Sequence, residues 1–201
     1  MLIAHDAQCT VFQGFRRIAS GDLHLVALKA KEAIDQGVSE PVLIFADSSG
    51  QVIDVDYRGT VDEMSRRLRD MQEHTPGPET ASSRGPGRPK LGVVAREITL
   101  LPRHWDYLTR QPGGASVTLR KLVDEARKVN ATRDRVREAQ EAAYRFMTAL
   151  AGDEPGFEEA LRALFASNEA RFSEVTASWP ADIRDHAKQL AAIAFREVPS
   201  S

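Results

Sequence analysis

The residues best suited to chemistry in this 201-residue chain form a short basic peptide, Arg84-Gly-Pro-Gly-Arg-Pro-Lys90. Proline fixes its own φ and glycine adds no side chain, so Arg88 is held outward with little bulk around it. That shape suits the narrow, electronegative minor groove of A·T-rich duplex DNA. The same composition also describes an ordinary linker between domains, and both readings stay open at this point. Downstream, Arg96, Thr99, Arg103 and Ser116 complete the candidate set. The arginines suit phosphates, Thr99 suits a base edge, and Ser116 opens a helix whose free N–H groups can meet an anion.

Charge points the same way. Residues 84–128 hold ten Lys or Arg against four Asp or Glu, net +6, and the remaining residues are net −8. The total of −2 therefore conceals a basic middle between acidic ends. Such asymmetry bears on polyanion binding more than on fold.

Enzyme chemistry finds less support. His5, His24, His74, His104 and His186 never stand three or four residues apart, so no helix presents two of them to a metal. No P-loop, dinucleotide fingerprint or Gly-x-Ser-x-Gly is present, and no metal or cofactor is expected. Asp54 and Asp56 share a strand face and could share a cation or a proton, although alternating acids usually mark the wet side of a sheet. Cys9, the single cysteine, excludes an internal disulfide and fits a small buried side chain in a reducing compartment. Trp105 and Trp179 sit on apolar helical stripes and read as core. His186 falls on the side of Ile183, Ala187 and Leu190, which suits a satisfied or partly exposed ring rather than a switch. No apolar run approaches the ~18 residues of a membrane span. The start Met-Leu-Ile-Ala-His-Asp lacks the pattern of a signal peptide, so a cytoplasmic protein with no membrane partner is expected.

The elements that must position these residues follow from periodicity. With 42% hydrophobic residues the chain can bury a core. Val11–Ile18 reads as two short strands about a Gln-Gly turn, followed by a helix near 23–36 capped by Asp22 and ended by Gly37. Residues 41–46 and 51–57 read as strands about the turn Asp47-Ser-Ser-Gly50. In the second, Ile53, Val55 and Tyr57 lie on one face and Val52, Asp54 and Asp56 on the other. Thr60 caps a helix at 61–73 with Val61, Met64, Leu68 and Met71 inward. The order is ββαββα, one sheet with helices on one side. Residues 74–90 read as a flexible basic linker rich in Pro and Gly. Residues 91–101 are strand-like, with Ile98 and Leu100 on one face and the strand placed at 94–101. A short Pro102 helix follows with Trp105 and Leu108, then a Gly113-Gly114 break and a helix capped by Ser116. From Thr132 the pattern is helical to Phe195, with Phe146, Leu164, Phe172, Trp179 and Leu190 on apolar stripes.

Strand, short helix, Gly turn and Ser-capped helix in residues 91–128 resemble the ribbon-helix-helix DNA-binding proteins. That resemblance implies an antiparallel ribbon shared between two subunits and laid in the major groove, hence an obligate homodimer. Glu97 and Thr99 would then face the bases, and Glu97 departs from the basic or neutral residues usual there. An N-terminal strand and helices packed within one larger domain is the competing account. Gly87-Arg88-Pro89 is similar to an AT-hook, with Pro86 where that motif carries a second arginine. Over nearly its whole length the chain resembles an uncharacterised bacterial family, domain of unknown function 2239. That resemblance rests on Gly87-Arg-Pro-Lys-Leu91, Arg96-Glu-Ile-Thr-Leu-Leu-Pro-Arg-His-Trp105, Gly113-Gly-Ala-Ser116 and Leu119-Arg-Lys-Leu-Val-Asp-Glu-Ala-Arg127. It implies a bacterial chain and no particular activity.

The expected fold class is α+β: a ββαββα domain at 1–73, the linker at 74–90, a ribbon-helix-helix-like unit at 91–130 and a helical domain at 131–197. The expected function is binding of double-stranded DNA as a homodimer, as a transcriptional regulator or nucleoid-associated protein, through Arg84, Arg88, Lys90, Arg96, Thr99, Arg103 and Ser116. A protein- or ligand-binding module is the alternative, and an enzyme is a third possibility that no motif supports.

Overall fold

The computed structural model describes residues 8–73 and 96–197. The linker at 74–90, with Arg84, Arg88 and Lys90, and the first part of the strand-like run at 91–101 lie outside the described residues. The fold is α+β, a four-stranded antiparallel sheet with helices and a mostly helical second half. The chain divides into two compact units, one built from Met1–His74 with Thr132–Ser201 and the other from Thr75–Ala131.

In the first unit β1 (Cys9–Gln13) and β2 (Arg16–Gly21) form a hairpin whose turn needs Gly14 at φ 54°. A bulge follows, because Val11 pairs with Ala19 while Phe12 pairs with Arg17. Strand β3 (Val42–Ala46) runs antiparallel to β1 and β4 (Gln51–Ile53) antiparallel to β3, giving the order β2-β1-β3-β4. Helix α1 (Leu23–Asp35) starts where the Asp22 carboxylate accepts from the Leu25 N–H at 2.8 Å. Helix α2 (Val61–Glu73) carries a reciprocal cap: Thr60 N–H donates to Glu63 at 2.8 Å and Glu63 N–H donates to Thr60 Oγ1 at 3.3 Å. Thr60→Ala is expected to cost about 1 kcal/mol, read as a lower urea midpoint at unchanged slope.

Alternation gives the sheet two buried faces. Cys9, Val11, Ile44, Ala46 and Ile53 pack against α1 and α2 through Val26, Ala30, Met64 and Leu68. Phe12 and Phe45 point the opposite way, into a second core made by helices from residues 132–197. The sequence separates 1–73 from 131–197; in the fold the two segments share this core, because the apolar run of β3 supplies residues to both faces.

Helix α3 (Pro102–Thr109) begins with Pro102 at its first turn. Helix α4 (Gly114–Leu150) is one continuous helix of 37 residues, with its part beyond Ala131 belonging to the first unit. Helices α5 (Phe157–Phe165), α6 (Glu169–Val175) and α7 (Ala181–Arg196) complete the second core, where Trp179 Nε1 donates to the Pro155 carbonyl at 2.9 Å. Asn168 caps α6 by accepting from Arg171 N–H at 3.0 Å.

Candidate nucleic-acid interface

The second unit carries the described part of the expected DNA surface. Residues 96–101 belong to no helix or strand, with Arg96, Glu97, Ile98 and Thr99 exposed. A strand is completed by a ladder, and no partner strand stands beside 96–101 among the described residues. Ile98, expected inward, is half exposed in the single chain, and Leu100 is only partly covered. Arg103 lies exposed in the first turn of α3. Ser116 is not the helix cap: α4 starts at Gly114, because Gly113 and Gly114 take φ values of 91° and 74° and turn the chain into the helix earlier. Ser116 stays in the first turn, exposed, where amide groups lack an intrahelical acceptor. Its own carbonyl accepts from Arg120 Nε at 3.1 Å.

The described cations of this unit, Arg96, Arg103, Arg110, Arg120, Lys121, Arg127 and Lys128, are all exposed and form no ion pairs among the described residues. Many cations of the first unit are paired, Arg58 with Asp56 at 2.8 Å, Arg145 with Glu141 at 2.9 Å, Arg162 with Glu159 at 2.6 Å and Arg171 with Glu174 at 2.8 Å, whereas Arg16, Arg17, Arg66, Arg69 and Arg133 there are exposed without an ion pair among the described residues. Spacings of four and seven place Ser116, Arg120 and Arg127 along one stripe of α4. Asp124 and Glu125 share the neighbourhood without pairing to these cations.

Apolar side chains in this unit are left uncovered. Leu108 on α3 and Thr118 on α4 are buried, but Trp105 is 39% exposed, Val123 54% and Val129 77%. Trp105 is therefore not the core residue its helical stripe suggests, whereas Trp179 is. Leu119, Leu122, Ala126 and Val129 fall at alternating spacings of three and four, a seam that one helix alone cannot bury.

Two other chemical candidates have settled surroundings. Asp56 is gripped by Arg58 and by Arg67 at 3.5 Å, and the hydrogen bonds from Arg58 hold its carboxyl well below the usual range. It is thus a charge already used. Cys9 is buried, and burial, helped by the charges of Asp47 and Asp22, pushes its thiol up to about 11, so it is not a thiolate near neutral pH. A cleft of ≈ 1070 Å³ at the hairpin end of the first unit is lined by Phe15, Arg16, Glu40 and Asp182. Two of its carboxylates are engaged internally: Glu40 accepts from Gln13 at 3.0 Å, and Asp182 accepts from Arg17 N–H at 2.9 Å. No group of three or more His, Cys, Asp or Glu is placed to hold a metal ion among the described residues, and no helix there is long and apolar enough to cross a membrane.

His186, expected to be satisfied or partly exposed, is neither, because aromatic rings from other elements close over it and neither ring nitrogen has a hydrogen-bond partner. It is fully buried, its ring 4.7 Å from that of Phe146 and 5.3 Å from that of Phe12. Burial, with the nearby charge of Arg17, pushes its pKa down to about 4, so the ring is neutral and its 3.7 Å approach to Asp47 Oδ1 is not an ion pair at neutral pH. The apolar helical stripe holding His186 was visible; the aromatic enclosure depends on Phe12 and Phe146, which are remote in sequence.

Comparison with known proteins agrees with the continuous organisation from β1 to α7. A family model described as an uncharacterized protein conserved in bacteria, domain of unknown function 2239, matches residues 8–191. No curated protein and no solved structure matches the chain. With nearly its entire length under that match, both units included, the chain belongs to this bacterial family.

Proposed function

We propose that the protein binds double-stranded DNA as a homodimer through residues 84–128. The observation that carries this reading is the set of exposed cations on the second unit with no carboxylate partner among the described residues. Cations left free of internal pairs gain from replacing the counterions around phosphates, and that gain sets affinity without reading sequence. Arg96, Arg103 and the first turn at Ser116 hold phosphates, Arg88 with Arg84 and Lys90 enters the minor groove in the manner of an AT-hook, and Thr99 meets a base. The dimer is supported by the apolar seam of Leu119, Leu122, Ala126 and Val129, and by residues 96–101, whose backbone a second copy would pair as in ribbon-helix-helix proteins.

Titration of duplex DNA at several salt concentrations tests it. Log affinity is expected to fall linearly with log salt, and Arg96→Ala with Arg103→Ala to flatten the slope by about 1.8, near 0.9 for each phosphate contact. Arg162→Ala with Arg171→Ala, which removes cations paired within the first unit, should leave the slope unchanged. Salt-independent retention, or equal slopes for both double variants, overturns the reading. Light scattering after size exclusion reports the second element, since a monomer at binding concentrations removes the shared ribbon.

A further inference from the structure

Helix α7 turns Ile183, Ala187, Leu190, Ala191 and Ala194 inward, and His186 sits among them as its only fully buried polar side chain. A leucine would fill that position without polar groups. The imidazole instead brings two nitrogens, and neither has a hydrogen-bond partner or contact with solvent. Buried polar groups are normally satisfied, so an orphaned ring at the centre of a core calls for a reason.

The surroundings supply one. Phe12 on β1 and Phe146 on α4 hold the ring edge to face, which suits a neutral imidazole acting as an aromatic side chain. Asp47, just after β3, receives the Thr10 hydroxyl on Oδ2 at 3.2 Å, and its Oδ1 stops 3.7 Å from His186 Nε2, beyond hydrogen-bond reach. On β2, Arg17 contributes a positive charge that opposes a second one here. From α4, Arg145 is turned to Glu141 and to the Ser49 carbonyl, and on α7 itself Asp182 takes the Arg17 N–H while Asp185 pairs with Arg184. An imidazolium would thus present two donors and a full charge to two phenyl rings and a single distant oxygen.

We propose that His186 is an acid-operated latch: uptake of a proton by its ring loosens α7 from the sheet face of Phe12 and Phe45, while the opposite face, closed by α1 and α2, stays packed. The sign follows from linkage. The closed-state pKa, about 4, lies below the ordinary histidine value of 6.5, so the open state binds protons more readily. The latch holds fully above pH 6.5 and weakens as pH falls toward 4. Asp47, held above its ordinary value by burial, works in the opposite sense as it takes up a proton, in a range that starts from 3.8. This device lies in the first unit and does not depend on the DNA-binding reading.

The test uses the full chain carrying Trp105→Phe, which leaves buried Trp179 as its one tryptophan. Trp179 emission is expected to shift red as pH is lowered from 8 to 4, and the His186 ring, followed by NMR, to titrate below pH 5. His186→Phe keeps an aromatic ring against Phe12 and Phe146 and is expected to move the emission midpoint down by about one pH unit or more. Superimposable emission curves with and without His186→Phe, an unchanging emission, or a ring that titrates at or above 6.5 each overturn the proposal. Should His186→Phe fail to fold at neutral pH, the ring titration in the chain that retains His186 decides alone.

Discussion

Gly50→Ala is expected to destabilise the first unit by at least about 3 kcal/mol, lowering Tm by roughly 6–12 °C at about 2–4 °C per kcal/mol. Two costs combine. Gly50 closes the β3–β4 turn at φ 64°, a conformation that costs an alanine about 1–2 kcal/mol. A Cβ there would also stand 1.9 Å from the Ala142 carbonyl oxygen and 2.7 Å from its carbon, both backbone atoms in the middle of α4. A flexible side chain could swing aside; a helix backbone moves only with its whole packed face. Displacing α4 would stretch the 3.0 Å hydrogen bond from Arg145 to the Ser49 carbonyl and part Phe146 from Phe12 and Phe45. Gly37→Ala isolates the first cost, since Gly37 has φ 75° and open space where its Cβ would go. Thermal denaturation of the two variants should differ by at least about 1–2 kcal/mol; equal losses would mean that the turn and helix do not approach this closely.

The elements whose boundaries were legible are those fixed by local chemistry. Asp22, Thr60 with Glu63, and Gly37 mark helix ends through hydrogen bonds and φ values that neighbouring residues determine alone. Ile53 and Val55 are buried and Val52 exposed, as alternation requires. The strand itself ends at Ile53 rather than Tyr57, and the following turn is held by Asp56, Arg58 and Arg67. The second face of the sheet was harder to read. Its signal was Val42–Ala46, apolar at every position, a pattern that a half-exposed strand does not show. The single helix α4 had a comparable signal in the absence of Gly and Pro from Ala115 to Leu150, which Asn130 and Thr132 obscured by their weak helix propensity.

For the candidate interface, the sequence contained the charge but not its pairing. Counting could not distinguish Arg171, held by Glu159 and Glu174, from Arg127, which has no such partners among the described residues. The Arg171 pairing includes a neighbour twelve residues away in sequence, Glu159, which only the fold brings near. Trp105 shows the same limit: its stripe is apolar, yet the single chain supplies only part of the surface needed to cover it. An amphipathic pattern states that a face seeks cover and leaves the source of that cover open, which is how an intersubunit seam and a domain core come to read alike.

Phe146→Ala is expected to cost about 3–5 kcal/mol, the range for removing a large buried aromatic ring without collapse of the space it leaves. Phe146 is fully buried, with ring centroids of Phe45 at 5.0 Å, Phe12 at 5.2 Å and His186 at 4.7 Å. It thus joins both central strands to α7, and three aromatic contacts are lost together. Phe146→Leu refills most of the volume and should recover about half of the loss, a comparison that urea titration at constant slope can make. The same variant separates core from interface. At a temperature where Phe146→Ala remains folded by far-ultraviolet circular dichroism, the salt dependence of DNA binding should equal that of the unaltered chain, because the cations proposed to contact phosphates lie in residues 84–128. A flattened slope in a folded Phe146→Ala protein would show that residues of the first unit carry phosphate contacts too, and the assignment of binding to 84–128 would have to be given up.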